Sequence, residues 1–260
     1  MTITTDFHSH VSRSSAREMV MSSQEKGLRV LGLSEHIFQM VEARPTLAHM
    51  PLEGPLLTFS EYIAGVRAAG QNASVILRLG LEVDFIPGKN EQIQAFLQGY
   101  NWDFLIGSVH EVDGLQFEKN QKWNREEGEA LWLRYMALLR AAVSSGYFSL
   151  VSHPVRMRTA NPHIPHSLDQ ELEQLAAEAA RCDVALEING YDVQNYPNLV
   201  RRLARACALH KTPVSVGSDA HNPRQIALTH SHAESILREV GIKSVRIWQQ
   251  RLTEEYDISK

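Results

Sequence analysis

Seven short apolar runs recur along the 260-residue chain, near residues 3–7, 29–34, 76–83, 104–109, 148–152, 184–189 and 213–218. Each is continuous rather than alternating, the pattern of a strand buried on both faces of a parallel sheet. Helical stretches separate them. SSAREMVMSSQEKG opens with Ser15 and Glu18 in capping-box spacing and closes on Gly27, a helix start and stop. Thr58 with Glu61, and Ser167 with Gln170, repeat the start signal. REEGEALWLRYMALLRAAVSSG has a helical apolar period that ends at a glycine. Unbroken βα alternation, without a repeat or linker, predicts one domain over residues 1–260: a seven-stranded, incomplete α/β barrel.

The runs also share an ending. They read TITTDFHSH (His8, His10), RVLGLSEH (His36), VILRLGLEVD (Glu82, Asp84), FLIGSVH (His110), FSLVSHP (His153) and PVSVGSDAH (Asp219, His221). Imidazole and carboxylate are ligands for zinc, iron and manganese. One HxH could be two ordinary surface histidines, but five further strand ends bearing His, Glu or Asp point to a multinuclear metal site. His8 and His10 share a strand face, as do Asp219 and His221. Glu82 lies in an apolar run, where a lone carboxylate is costly; a metal or a buried salt bridge would remove that cost. Taken singly, His110 and His153 read as core histidines, and the set makes them ligands. Asp84 faces the same way as Glu82. It could orient a ligand histidine, meet a cationic part of a substrate, or form a local salt bridge.

Three loops follow ligand-bearing strands: residues 37–55, residues 111–125, and RMRTANPHIPHS after His153. They would share one mouth, where such barrels carry their chemistry. Arg156 and Arg158 stand there, and guanidinium matches phosphate well. Arg156 is the better candidate, with no acidic partner near it in sequence; a surface salt bridge is the alternative. Arg13 and Arg17 are weaker candidates. His49, His163, His166, His210, His230 and His232 fall in loops or helices and read as solvated.

Net charge is −4, with no basic tract, so nucleic-acid binding is not expected. No apolar run approaches the roughly 20 residues of a membrane span, and MTITTDFHSH lacks signal-peptide features. A cytoplasmic location is expected, with Cys182 and Cys207 as reduced, buried thiols. GxSxG, P-loop and CxxC motifs are missing, which removes support for covalent serine, nucleotide-cradle or redox chemistry. Nothing speaks to oligomeric state.

The ordered series HxH, SEH, a strand glutamate, SVH, SHP and SDAH resembles the PHP (polymerase and histidinol phosphatase) superfamily from Asp6 to about Pro223. GLEVDFIPG followed by FLIGSVH is most similar to its histidinol-phosphate phosphatase branch. The resemblance implies a distorted (βα)7 barrel holding two or three divalent ions (zinc, iron or manganese). His8, His10, Glu82 and Asp219 would bind one; Glu82 would bridge to a second held by His110 and His153; His36 and His221 would serve a third. Glu82, Asp219, His36 and His221 are then the expected catalytic set, and Arg156, Arg158 and Asp84, by their position, are the candidates for substrate contact. The family's further histidine falls here at about Ala16, leaving the third site a ligand short, to be completed by water or Glu18, or to stay weak or empty. The implied activity is phosphomonoester hydrolysis by a metal-bridging hydroxide, on L-histidinol phosphate in histidine biosynthesis. Another small phosphate ester or nucleotide is the alternative substrate. A non-catalytic metal-binding regulatory domain is the reading from a different class.

Overall fold

The computed structural model describes residues 3–117 and 122–259. Residues 118–121 of the expected 111–125 loop therefore lie outside the described residues, as do the chain's first two residues and its last.

Eleven strands are present among the described residues. They are β1 (Thr5–Asp6), β2 (Val30–Leu33), β3 (Ile76–Asp84), β4 (Phe104–Ser108), β5 (Glu111–Val112), β6 (Leu115–Gln116), β7 (Leu150–Val151), β8 (Ala185–Asn189), β9 (Val214–Gly217), β10 (Ser244–Gln249) and β11 (Leu252–Asp257). Seven form one sheet in the order β1-β2-β3-β4-β7-β8-β9, with every pair parallel. The sheet curls until its ends meet. Phe7 N donates to Val216 O at 3.0 Å, and Asp219 N donates to His8 O at 2.8 Å. The result is a nearly closed, distorted seven-stranded barrel with the helices outside, as the alternation predicts.

The inside of this barrel changes character with height. Its lower interior is an apolar cluster of Phe7, Val30, Phe104, Ile106, Leu150 and Ala185, closed by Ile247 and Trp248 of β10. Phe104 fills the axis. A Cβ on Gly80 would lie 2.3 Å from its ring, and one on Gly32 2.7 Å, so the aromatic plug requires glycine at both positions. Two residues further along each strand the same inward face turns polar. Gly80 gives way to Glu82, Ile106 to Ser108, Leu150 to Ser152 and Ala185 to Glu187. Parallel pairing in register sets Ser108, Ser152 and Glu187 side by side, with Glu82 one step lower, in register with Ile106.

Local starts and stops are partly as expected. Thr58 makes a full capping box with Glu61, and Gly27 takes φ +75°, which only glycine adopts freely. Ser15 caps the helix Ala16–Glu25 by accepting from Glu18 N. Ser167 precedes the helix Leu168–Cys182 but its side chain caps nothing, a correction to the capping signal read there. Asn124 with Glu127, not foreseen, forms the capping box of the long helix Arg125–Ser144. Two hairpins, β5–β6 and β10–β11, are also additions. Both cysteines are free, but only Cys207 is buried; Cys182 is half-exposed. No described helix is long and apolar enough to cross a membrane.

Candidate metal centre

The strand ends converge at the upper mouth of the barrel. His8, His10, Glu82 and His153 are buried there, with His36 and Asp219 nearly so. Glu82 sits at the centre, and its two oxygens face different partners. Oε1 lies 3.2 Å from His153 Nε2 and 3.3 Å from His110 Nε2. Oε2 lies 2.6 Å from His36 Nδ1, 3.3 Å from His8 Nε2 and 3.6 Å from His10 Nε2. Asp219 Oδ1 closes the second group, 3.2 Å from His10 Nε2 and 3.7 Å from His8 Nε2. Donor atoms of His8, His10 and Glu82, of His36, Glu82 and His110, and of His10, His36 and His221 each fall within 4.8 Å of one another.

Backbone geometry aims two of these groups. His153 has φ +33° and Asp219 φ +57°, conformations that cost a non-glycine residue about 1–3 kcal/mol and persist where the surroundings enforce them. His153 N donates to Glu187 Oε2 at 2.9 Å, and Asp219 N to His8 O. Those bonds hold the kinks.

Carboxylates stand behind the histidines. Glu187 Oε1 is 2.7 Å from His8 Nδ1, Asp84 Oδ1 is 2.8 Å from His110 Nδ1, and Glu35 Oε1 is 3.6 Å from His10 Nδ1. The first two contacts set the tautomer and turn the other ring nitrogen toward the centre, whereas His10 Nδ1 makes no hydrogen bond among the described residues. Glu35 is itself fixed by Val11 N and Ser12 N, each donating to Oε2 at 2.7 Å.

Electrostatics follow from this crowding. Burial disfavours charge on His8, but Glu187, Glu82 and Asp219 outweigh it and hold its pKa well above the usual imidazole value. His10 is pushed up to about 9 against the same burial cost, by Asp219 and Glu35. Burial opposes ionisation of Glu82 too, yet His36, His8 and His110 hold it well below the usual carboxylate range. His36 is lowered, by burial and by His10. The metal-free centre thus pairs ionised carboxylates with protons on His8, His10 and His110, protons that a bound metal would displace.

Divalent metals fit these residues. His8 Nε2, both ring nitrogens of His36, Glu82 Oε2 and Glu53 Oε2 are buried without a hydrogen-bond partner among the described residues. Even the 2.6 Å approach of His36 to Glu82 lacks hydrogen-bond alignment. A convergent set of orphaned nitrogen and carboxylate donors is what a metal would satisfy.

Glu53 was not foreseen. It comes from the proline-rich 37–55 loop, where Gly54 packs so closely on Ser12 that a Cβ would lie 2.2 Å from the Ser12 carbonyl oxygen. That packing brings Glu53 Oε2 to 3.0 Å from His221 Nε2 and 3.8 Å from His36 Nε2. Its carboxyl pKa falls to about 2; burial resists this, and His221, His36 and His10 overcome it. Glu18, one of the alternatives for the missing ligand, is instead bound to the helix cap through Ser15.

The expected substrate contacts divide. Arg156 lines the mouth cavity but is not a surface cation. Its Nε donates to Asp192 Oδ1 at 2.9 Å and its Nη2 to Asp219 Oδ2 at 2.6 Å and Asn189 Oδ1 at 2.9 Å. The acidic partners, distant in sequence, are near in space. Arg158 does not reach the cavity and lies over the Tyr196 ring. Asp84 is buried behind His110 and does not line the cavity, so the geometry favours its orienting role over substrate contact. Arg13 pairs with Glu53. His230, read as solvated, is fully buried with Nε2 3.0 Å from Thr5 O.

Residues 3–190 match the family model described as PHP domain. The chain belongs to the PHP family. Among curated relatives of this PHP chain, a probable histidinol-phosphatase of Deinococcus radiodurans is 28% identical over 249 residues, covering 91% of each protein. A probable histidinol-phosphatase of Schizosaccharomyces pombe is 22% identical over 254 residues, covering 88% of this chain and 82% of that one. The fold is similar to the crystal structure of histidinol phosphate phosphatase from Lactococcus lactis, complexed with zinc, L-histidinol and phosphate. The TM-score is 0.76 at 19% identity, over 96% of this chain and 98% of that one.

Proposed function

We propose that this PHP protein is a metal-dependent phosphomonoesterase that hydrolyses L-histidinol phosphate to L-histidinol and phosphate. The split of Glu82's two oxygens between separate histidine groups carries the reading, because one carboxylate shared by two donor sets is a dinuclear design,. His8, His10, Glu82 and Asp219 would hold one ion, Glu82, His110 and His153 a second, and His36, His221 and Glu53 a third. When bound, such ions supply an activated water and offset charge on phosphate oxygens.

The chain's own residues do the rest. Glu187 and Asp84 hold the His8 and His110 rings in the ligating tautomer. Arg156 steadies Asp219 and presents guanidinium to the cavity, suited to orient a phosphate. The cavity of about 190 Å³ is below the roughly 300–1,000 Å³ of drug-sized ligand sites, which favours a small ester over a nucleotide. The names of the relatives and the ligands of the Lactococcus lactis structure support histidinol phosphate as the substrate.

The test is steady-state phosphate release by metal-loaded protein from L-histidinol phosphate and from a panel of other monoesters. A preference for histidinol phosphate, abolished by chelation, is expected. Turnover of none of the esters would leave the non-catalytic reading, and equal turnover of all would remove the assigned substrate.

A further inference from the structure

A second cavity, of about 750 Å³, opens at the far end of the barrel from the metal centre, within the roughly 300–1,000 Å³ of small-molecule sites. It lies where the chain enters β4 and β7, between Trp102 and Leu105 on one side and Tyr147 on the other. Tyr100 packs on Trp102, 5.8 Å between ring centroids, which gives an aromatic wall. Gln94, Gln98 and Asn101 line the cavity too. Their side-chain amides, like the hydroxyls of Tyr100 and Tyr147, make no hydrogen bond among the described residues. No lining residue is acidic, and Arg251 is the one charged residue among them.

Arg251 stands there at a cost. Gln250 and Arg251 form the two-residue loop of the β10–β11 hairpin, with φ +51° and +68°. Positive φ at both positions makes a turn that Asn-Gly fills readily and that long side chains fill under strain. Asp103 pins this turn. Gln250 N donates to Asp103 Oδ1 at 2.8 Å and Arg251 N to Asp103 O at 2.9 Å, while Asp103 Oδ2 accepts from Leu79 N at 2.8 Å. The Arg251 guanidinium donates only to the Tyr147 carbonyl, from Nη2 at 2.7 Å. It forms no ion pair among the described residues, and burial alone moves its pKa, downward, with no carboxylate acting to raise it. A guanidinium has five N–H donors, so most of them stay unspent on an exposed residue of a cavity that holds no negative charge.

We infer that this cavity is a second binding site, for a mononucleotide, with the phosphate on Arg251 and the base along the aromatic wall. A guanidinium free of carboxylates matches a phosphate group. Aromatic side chains suit the flat face of a base. Free amides suit its edge, where donors and acceptors alternate. One cation and no second basic residue in the lining fit one phosphate group rather than a chain of them. The site is separate from the metal mouth, at the opposite ends of the same strands, and is independent of which ester is hydrolysed there.

The experiment is calorimetric titration with the phosphonate analogue of AMP, which a phosphatase cannot cleave, and with adenosine as the uncharged control. Wild type and Glu82→Gln, whose metal mouth is disabled, should both bind the phosphonate at least about tenfold more tightly than adenosine. Arg251→Gly, in either background, should weaken that binding by about tenfold or more. Its melting temperature should hold or rise, because glycine adopts positive φ without strain. Hydrolysis of p-nitrophenyl phosphate by the single variant Arg251→Gly should match wild type. Binding that disappears in Glu82→Gln would place the ligand at the metal centre and overturn the assignment. Equal affinity for adenosine, full binding by Arg251→Gly, or no saturable binding at all would overturn it as well. A lowered melting temperature in Arg251→Gly would also count against it, by making Arg251 a structural clamp on Tyr147.

Discussion

Glu53 Oε2 lies 3.0 Å from His221 Nε2, although 168 positions separate them in sequence. We propose that this carboxylate from the proline-rich loop completes the His36 and His221 group, which the resemblance leaves a ligand short. Glu53→Gln should remove one bound metal per chain, weakening that site by at least the roughly 10–100-fold that loss of a supporting contact costs. Metal titration followed by elemental analysis reads this directly. Three equally tight ions in the variant would remove Glu53 from the ligand set.

Glu82→Gln should be the most damaging isosteric change. The amide keeps a carbonyl oxygen for the 2.7 Å bond that Ser108 donates to Oε1, so the fold should survive. It cannot offer anionic oxygen to both histidine groups. Loss of at least two metals and nearly all phosphatase activity is expected, with circular dichroism unchanged. Near-normal turnover would sink the bridging role.

Arg156→Ala should do more than weaken phosphate binding. Asp192 is buried, and burial raises its pKa against the opposing pull of Arg156. Removing one partner of a buried ion pair typically costs about 3–5 kcal/mol. A clear fall in melting temperature should accompany a KM increase of about ten- to hundredfold for the ester. Arg156→Lys should recover most of the stability and little of the KM, because lysine lacks the planar fork. A variant with unchanged melting temperature and unchanged inhibition by inorganic phosphate would contradict both roles.

The metal-free protein should lose stability as pH rises. His10 goes from the ordinary 6.5 to about 9 on folding. A raised folded pKa means that the folded state binds the proton more tightly. Its contribution is complete below about 6.5 and disappears as pH climbs through about 9. His8 and His110 are raised too and act in the same direction. Metal ions must displace these protons, so metal affinity should climb over the same window. Denaturant melts of chelated and metal-loaded protein at pH 6, 7.5 and 9 check both; a chelated protein most stable at pH 9 would reverse the sign.

The barrel strands were legible because double burial writes them as apolar runs, such as VLGL at β2 and FLIG in β4. The hairpin β10–β11 was not, since LTEEYD is exposed almost throughout and carries little apolar signal. The histidines of the centre could be read from their place at strand ends. Glu187 gave the same sign as Glu82, a carboxylate inside an apolar run, and could have been found by it. Glu53 had no such mark, for its position depends on how Gly54 meets Ser12. His230 misled because its neighbours in HSHAES are polar, while the one face it occupies is turned to Thr5 and Asp6. Arg156 misled for the opposite reason: its acidic partners, beyond the ends of β8 and β9, are brought to it only by the pairing of β7, β8 and β9.

The change from apolar to polar along the inward face of the strands divides the barrel's labour by height. Replacements around Phe104, Trp248 and the glycines beneath them should be felt as folding defects, and those at the level of Glu82 and Glu187 as chemical ones. The rim of the cavity is carried by a third set of residues, on the 37–55 loop and β6. Such a chain can drift in what it accepts while its hydrolytic apparatus stands still, and it can gain or lose thermal tolerance without altering either.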